Sequence, residues 1–302
     1  MEYNELQKEV LRLKKEKDAL ILAHYYQTLD VQDIADFVCD SFEMAKKAKQ
    51  AQNRLIVICG VKFMAESAKI LSPDKKVLLP AMDAGCPMAD MVEPQGVLEL
   101  KEKYPDAAVM CYVNSSAEVK AVSDICCTSS SAVRIARKLD AKQIIFIPDK
   151  NLGNYVARQV PEKEFIFWQG YCPTHNKITE EDILNAKKAR PNGKFAVHPE
   201  CQKEVLRHAD FIGSTAQIID FAKNSPYEEI IIGTEMGILE RLKREVPDKK
   251  MLSVTSAFVC PNMKKIRLEN VRDCLENESN EIHLDADLIE GAKQSLDRMI
   301  AM

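Results

Sequence analysis

The sequence predicts an α/β protein of three pseudo-symmetric three-layer α/β/α sandwich domains, with parallel sheets around one central cavity. Three observations predict it. Apolar runs of strand length alternate with amphipathic helical patterns, which is typical of parallel sheets covered on both faces. The alternation recurs at offsets of 88 and 86 residues. Polar residues recur at the same offsets, so they mark corresponding positions in three repeated units.

The composition is that of a globular chain. It has 302 residues, of which 46% are hydrophobic and 29% charged, and this excludes wholesale disorder. A net charge of −4 without a basic block argues against binding to nucleic acid or to an anionic membrane. Apolar runs are strand-sized, well short of the roughly 20 residues that a membrane-spanning helix needs. The charged N-terminus does not resemble a signal sequence, so we expect a cytoplasmic protein.

The clearest repeated position lies at the end of the first strand-like run of each unit. It is occupied by His24, Tyr112 and His198, and two residues further on stand Tyr26, Asn114 and Glu200. Ligands of open parallel sheets collect at the carboxyl ends of the strands. We therefore expect all six side chains to converge on one cavity.

A second repeated position opens an amphipathic helical pattern at Ser41, Ser129 and Thr215. The preceding residues, Asp40, Thr128 and Ser214, are also helix-capping types. Free N–H groups and the helix dipole suit carboxylates and phosphates, although simple helix capping explains any one of these residues.

Each unit thus reads strand, Ser/Thr-capped helix, strand, helix, strand, Cys-Pro loop, helix. Breaks at KYPDA and RPNGK divide the chain, because proline and polar residues end the preceding helices. The predicted domains are residues 1–104 with an N-terminal helix, residues 105–192, and residues 193–302 with a C-terminal helix.

Three of the ten cysteines precede proline at matching offsets: Cys86, Cys172 and Cys260. Five disulfides would require a secreted protein, usually a small one. Three thiolates without a fourth at the same register suggest a 4Fe–4S cluster with one open iron, a Lewis-acid site. Zinc is the competing metal, with His175 as its fourth ligand. Spacing alone does not separate the two metals, and uncommitted core cysteines are the third alternative.

The motifs together resemble the quinolinate synthase family, the A protein of NAD biosynthesis. The resemblance runs from about residue 20 to 272. It rests on AHYYQ at 23–27, YVNSSAE at 112–118, CTSSSAV at 127–133, PDKNLGNYVA at 148–157, HPEC at 198–201, GST at 213–215, GTEMGIL at 233–239 and the three Cys-Pro loops.

The resemblance implies three domains around a funnel and a 4Fe–4S cluster on Cys86, Cys172 and Cys260. The implied reaction condenses iminoaspartate with dihydroxyacetone phosphate to give quinolinate, phosphate and two waters. It also implies a functional link to L-aspartate oxidase or aspartate dehydrogenase. Carried over motif by motif, the site comprises His24, Tyr26, Ser41, Tyr112, Asn114, Ser129, His198, Glu200, Ser214 and Thr215.

Chemistry suggests roles for these residues. Glu200 is the candidate general base, because forming an aromatic ring requires the removal of C–H and N–H protons. His24 and His198 suit anion binding or proton transfer, and Tyr26 and Tyr112 could relay protons. The serines and threonine would hold carboxylates and phosphate.

Rival hypotheses remain. Two other enzyme groups combine threefold architecture with a three-cysteine cluster: the reductase that ends the non-mevalonate isoprenoid pathway, and the radical enzyme of diphthamide formation. A zinc-stapled binding module is the non-enzymatic alternative.

Overall fold

Parallel sheets organise the chain in the computed structural model, which describes residues 3–302. The strands are β1 (Ala19–His24), β2 (Phe37–Cys39), β3 (Leu55–Cys59), β4 (Lys76–Leu78), β5 (Ala108–Tyr112), β6 (Ile125–Cys127), β7 (Gln143–Ile147), β8 (Glu164–Phe167), β9 (Lys194–Val197), β10 (Phe211–Ile212), β11 (Glu229–Gly233) and β12 (Lys250–Ser253).

Helices cover these sheets. They are α1 (Glu5–Glu16), α2 (Leu29–Ile34), α3 (Ser41–Gln50), α4 (Lys62–Leu71), α5 (Pro94–Lys103), α6 (Ala117–Ala121), α7 (Ala132–Lys138), α8 (Lys150–Gln159), α9 (Pro173–Asn176), α10 (Glu180–Ala189), α11 (Lys203–Leu206), α12 (Thr215–Asn224), α13 (Gly237–Glu245), α14 (Leu268–Asn277) and α15 (Ala286–Ala301). Two short 3₁₀ turns, Ala89–Met91 and Met263–Lys265, follow Cys-Pro loops.

The predicted fold class is confirmed. Among the described residues there are three four-stranded sheets, with orders β2-β1-β3-β4, β6-β5-β7-β8 and β10-β9-β11-β12. Every strand pair is parallel. The same order in all three sheets is the structural form of the sequence repeat.

Each unit contains one strand more than its pattern predicted. The additional strands β2, β6 and β10 are only two or three residues long and lie at the edge of their sheets. Such short segments carry no alternation that distinguishes a strand from a turn.

A repeated aspartate precedes each edge strand. It is Asp36, Asp124 or Asp210, and its carboxylate accepts an N–H from the first strand of the same unit at 2.8 to 2.9 Å. Its own N–H donates to a carbonyl of the same strand. These contacts lie at the amino ends of the sheets, so they support the scaffold on the side away from the Cys-Pro loops.

The helix after each edge strand begins where predicted in two units. Asp40 caps α3 and Ser214 caps α12. In the second unit α7 begins at Ala132, so the prediction of a helix opening at Ser129 was wrong. The Ser131 hydroxyl accepts the Thr128 N–H at 3.0 Å, and a turn replaces the first helical residues.

The C-terminal helix α15 packs against the first two units. Ser295 donates to the carbonyl of Lys120 on α6 at 2.9 Å, and Arg298 donates to the carbonyl of Asp124. The divisions of the chain at 104 and 192 stay predictions. No helix within residues 3–302 combines the length and apolar character needed to cross a bilayer.

Candidate functional site

One cavity lies where the carboxyl ends of the strands of all three units meet. It encloses about 140 Å³. Among the residues lining it are His24, Tyr26, Ser41, Cys86, Tyr112, Asn114, Ser129, Cys172, His198, Glu200, Thr215 and Cys260. The structure thus brings together every predicted site residue except Ser214, which caps α12 by accepting the N–H of Gln217.

Glu200 is the centre of a buried hydrogen-bond network. The Tyr112 hydroxyl donates to its Oε1 at 2.6 Å, and Nδ1 of His175 lies 2.8 Å from its Oε2. Burial by itself raises the pKa of Glu200, but the net shift of that pKa is downward, and hydrogen bonds from His175 and Tyr112 contribute to it. Glu200 is therefore a carboxylate, the form that can accept a proton.

His24 and His198 are held in the same way in two units. The Nδ1 atom of each accepts the backbone N–H two residues ahead, at 3.2 Å from Tyr26 and at 3.4 Å from Glu200. This leaves Nε2 as the N–H donor, and Nε2 of His198 lies 3.2 Å from Oγ of Ser129.

Burial keeps both imidazoles neutral. It lowers the pKa of His24 to about 3 and the pKa of His198 to about 4, although the Glu200 carboxylate partly opposes the effect. Both rings are therefore hydrogen-bond donors without a positive charge at neutral pH. A histidine can carry charge near neutral pH, and the sequence does not reveal that these two are buried too completely to do so.

Tyr26 joins the first unit to the third. Its hydroxyl lies 2.9 Å from Oγ1 of Thr215 and 2.8 Å from Oγ1 of Thr234. Gly237 lets the backbone of Tyr26 pass close to α13, since a Cβ there would lie 2.7 Å from Cα of Tyr26. Lys264 also donates to the Tyr26 carbonyl.

Asn114 presents an unsatisfied acceptor at the cavity. Its Oδ1 is buried and has no hydrogen-bond partner within the described residues. A buried orphan acceptor is unfavourable, so this atom indicates a ligand that donates a hydrogen bond here.

Capping side chains already accept some of the free backbone N–H groups at the helix N-termini. Asp40 accepts the N–H groups of Phe42 and Glu43, both at 3.1 Å. Ser214 accepts one N–H of α12. The capping interpretation therefore holds for these two residues, while Ser41 and Thr215 face the cavity.

The three Cys-Pro loops are built alike. Each cysteine is followed by a short helical turn whose backbone N–H groups face the sulfur. These groups belong to Met88 and Ala89 for Cys86, to His175 for Cys172, and to Asn262 and Met263 for Cys260. Burial outweighs them, raising the pKa of Cys86 to about 12 and also raising the pKa values of the Cys172 and Cys260 thiols.

This donor set fits an iron–sulfur cluster. Buried thiols lose their protons readily only to a metal ion, and N–H groups directed at the sulfurs then stabilise the thiolates. The three cysteines come from three separate units and line one cavity.

A second donor group shares one of these cysteines. Ligand atoms of Cys172, His175 and Glu200 lie within 4.8 Å of one another, which is also compatible with a metal. Both nitrogens of His175 already have partners, because Nδ1 faces Glu200 and Nε2 lies 2.9 Å from Oγ1 of Thr234.

Sequence reasoning missed Thr234 and gave His175 only as a zinc ligand. Thr234 is fully buried and bonds to both Tyr26 and His175. It occupies a position of the repeat, but Gly60 and Pro148 stand at the corresponding places and hide its polar role.

Comparisons with known proteins found matches over nearly the whole chain. The family model described as Quinolinate synthetase A protein matches residues 8–301. A quinolinate synthase of Caldicellulosiruptor bescii is 55% identical over 297 residues, which cover 98% of each chain. One from Caldicellulosiruptor saccharolyticus is 53% identical over 302 residues, which cover both chains completely. One from Aquifex aeolicus is 50% identical over 306 residues, covering all of this chain and 95% of its relative.

Proposed function

Because the chain belongs to the quinolinate synthetase A protein family, we propose that it condenses iminoaspartate with dihydroxyacetone phosphate. The products are quinolinate, phosphate and two waters. The atoms balance without an oxidant or a reductant. The catalyst must therefore move protons and help phosphate and hydroxyl groups to leave.

The observation that carries the proposal is the convergence of three Cys-Pro loops and the Glu200 network on one cavity. Cys86, Cys172 and Cys260 would hold a 4Fe–4S cluster. When bound, the cluster would supply a Lewis-acidic iron without a protein ligand, which can polarise a substrate oxygen.

Glu200 would accept protons during ring formation. Its carboxylate already accepts the Tyr112 hydroxyl, so a proton taken from substrate could be shared along that hydrogen bond. His175 holds the other carboxylate oxygen in place. The orientation of the base is thus fixed by two partners.

The neutral imidazoles of His24 and His198 would donate to substrate carboxylate or phosphate oxygens. Asn114 would accept a hydrogen bond at its orphan Oδ1, which suits an imine N–H or a hydroxyl group. Ser41, Ser129 and Thr215 add hydroxyl donors around the same space.

The chemistry of the first substrate also implies a partner reaction. Iminoaspartate is the product of oxidising aspartate, so an enzyme such as L-aspartate oxidase or aspartate dehydrogenase would supply it.

An anaerobic assay tests the proposal. The purified chain, reconstituted with iron and sulfide, should be brown and should form quinolinate only when both substrates are present. A brown protein that forms no quinolinate would contradict the proposed reaction. A colourless protein with one zinc per chain would instead favour a site on Cys172, His175 and Glu200.

The family match also decides among the enzyme groups that the cysteine spacing left open. The isoprenoid reductase and the diphthamide enzyme would also explain three such cysteines, but the family match covers nearly the whole chain and names neither.

A further inference from the structure

In two of the three Cys-Pro loops, a buried carboxylate accepts the backbone N–H of the cysteine. Asp149 lies between β7 and α8, and Glu235 lies at the same place between β11 and α13. Both side chains are fully buried. They are 86 residues apart, matching the repeat, and nothing in the proposed chemistry uses them.

Asp149 ties the Cys172 loop to α8. Its Oδ2 accepts the backbone N–H of Cys172 at 3.1 Å, and its Oδ1 accepts the N–H of Leu152 in the first turn of α8 at 2.8 Å. The N–H of Lys150 donates to the Gly170 carbonyl at 2.9 Å, which brings the two segments side by side. One carboxylate thus fixes the backbone from which the Cys172 sulfur projects.

Glu235 makes the equivalent contact in the third unit. Its Oε1 accepts the N–H of Cys260 at 3.2 Å, and its Oε2 accepts the N–H of Gly237 at 2.6 Å. Lys264 lies 3.0 Å from Oε1 and balances the charge.

The first unit lacks this support. Val61 stands 88 residues before Asp149, and the loop of Cys86 is joined there by a main-chain hydrogen bond from Lys62 to Ala84 at 2.8 Å. A buried carboxylate therefore accepts the cysteine N–H in two of the loops, whereas the first unit has Val61 at the corresponding position.

We propose that Asp149 and Glu235 are positioning residues that hold the Cys172 and Cys260 loops in the geometry needed to bind the cluster. This inference rests on the proposed function, because it assigns the carboxylates to the same metal site. The hydrogen bonds to the cysteine amides fix the direction of both sulfurs. Partners of this kind commonly change metal affinity 10- to 100-fold when removed.

Iron release from the reconstituted holoprotein tests the proposal. The variants are Asp149→Ala, Asp149→Asn and Glu235→Gln, and the readout is the rate at which bipyridyl removes iron anaerobically. We expect Asp149→Ala to accelerate release about tenfold or more. Asp149→Asn should have a smaller effect, because its amide oxygen can still accept one of the two N–H groups. The electron paramagnetic resonance signal of the reduced cluster should change in the same variants.

Asp124→Ala and Asp124→Asn are the matched controls. Asp124 also accepts a strand N–H, from Val109 at 2.8 Å, but at the opposite end of the second sheet. Both should release iron at nearly the wild-type rate. If Asp149→Ala fails to fold, Asp149→Asn and Glu235→Gln still decide the question.

Two results would overturn the inference alone: wild-type release rates and spectra in the Asp149 and Glu235 variants, or equal acceleration in the Asp124 controls. A wild-type chain that takes up no cluster would overturn the proposed function and this inference with it.

Discussion

Tyr112 and His175 approach Glu200 from two sides, one at each carboxylate oxygen. Glu200→Gln keeps the shape of the side chain but removes the proton acceptor. We predict that turnover falls by about 10²-fold or more while the visible absorption of the cluster is unchanged. Steady-state quinolinate assays and absorption spectra check this.

Glu204→Gln is the matched control, since this half-exposed glutamate lies on α11 close in sequence. It should have wild-type activity. Normal turnover in Glu200→Gln would refute the role of Glu200 as base.

His198 provides a prediction about pH. Burial lowers its pKa from 6.5 to about 4, so the imidazole is neutral above that value and becomes charged only as the pH falls through it. The value of kcat/KM should therefore show no inflection near pH 6.5 that depends on His198. Comparing pH profiles of the wild type and His198→Gln between about pH 5 and 8 tests this. A wild-type inflection near pH 6.5 that the substitution abolishes would contradict it.

At this scale, the sequence predicted a shared cavity for residues that repeat or match a family motif, and their catalytic and binding roles stay predictions. His24, Tyr112, His198 and Glu200 were found in this way, and they line the cavity. Asp149 and Glu235 repeat at the same offset, but Val61 breaks the series. The neutrality of the imidazoles could not be predicted, because it depends on burial by all three units.

Among the elements, the C-terminus of α14 carries a charge cluster. Glu278 contacts Lys17 after α1 at 3.4 Å, Arg54 before β3 at 2.5 Å and Lys76 of β4 at 3.0 Å. Hydrogen bonds from Arg54 and Lys76 lower the pKa of Glu278 to about 2. The cluster thus fastens α14 to the first sheet.

We predict that Glu278→Gln reduces the free energy of unfolding by about 1 kcal/mol at pH 7 and low salt, since solvent screens the pairs. The pKa is lower in the folded state than its ordinary 4.5, so the stabilisation is complete above pH 4.5. It should disappear as the pH falls towards about 2. Urea unfolding at several pH values measures this, with the exposed Glu276→Gln as the control. An equal destabilisation at pH 7 and at pH 3 would contradict it.

The sequence did not predict the strands and the helix start that depend on tertiary contacts. The edge strands β2, β6 and β10 exist because each pairs with the first strand of its unit. The start of α7 moved to Ala132 because hydroxyl contacts among Thr128, Ser130 and Ser131 stabilise a turn. Neither effect has a periodic pattern in the sequence.

The threefold repeat determines how the three sheets are arranged in the whole molecule. One arrangement of strands occurs three times, so the carboxyl ends of three sheets face one cavity and deliver three cysteines to it. The threefold α/β/α architecture was predictable, because buried strands and polar strand ends recur at fixed offsets. The repeated Asp36, Asp124 and Asp210 have offsets of 88 and 86 as well, and they could have been found in the same way.

Contacts between the three units could not be predicted from the sequence. Arg244 of α13 lies 2.7 Å from Asp33 of α2, and Tyr26 bonds to Thr215 and Thr234. These pairs are about 200 residues apart and join residues at non-equivalent positions of the repeat, so no offset reveals them.

The iron content of single cysteine variants tests the central claim most directly. The variants Cys86→Ser, Cys172→Ser and Cys260→Ser are reconstituted with iron and sulfide. The control is Cys274→Ser, which replaces a buried cysteine of α14. If three loops hold one cluster, the wild type and the control should contain about four irons per chain, and each of the other variants should lose nearly all of them. A variant of Cys86, Cys172 or Cys260 that retains full iron content would show that its cysteine binds no cluster, and would contradict the account.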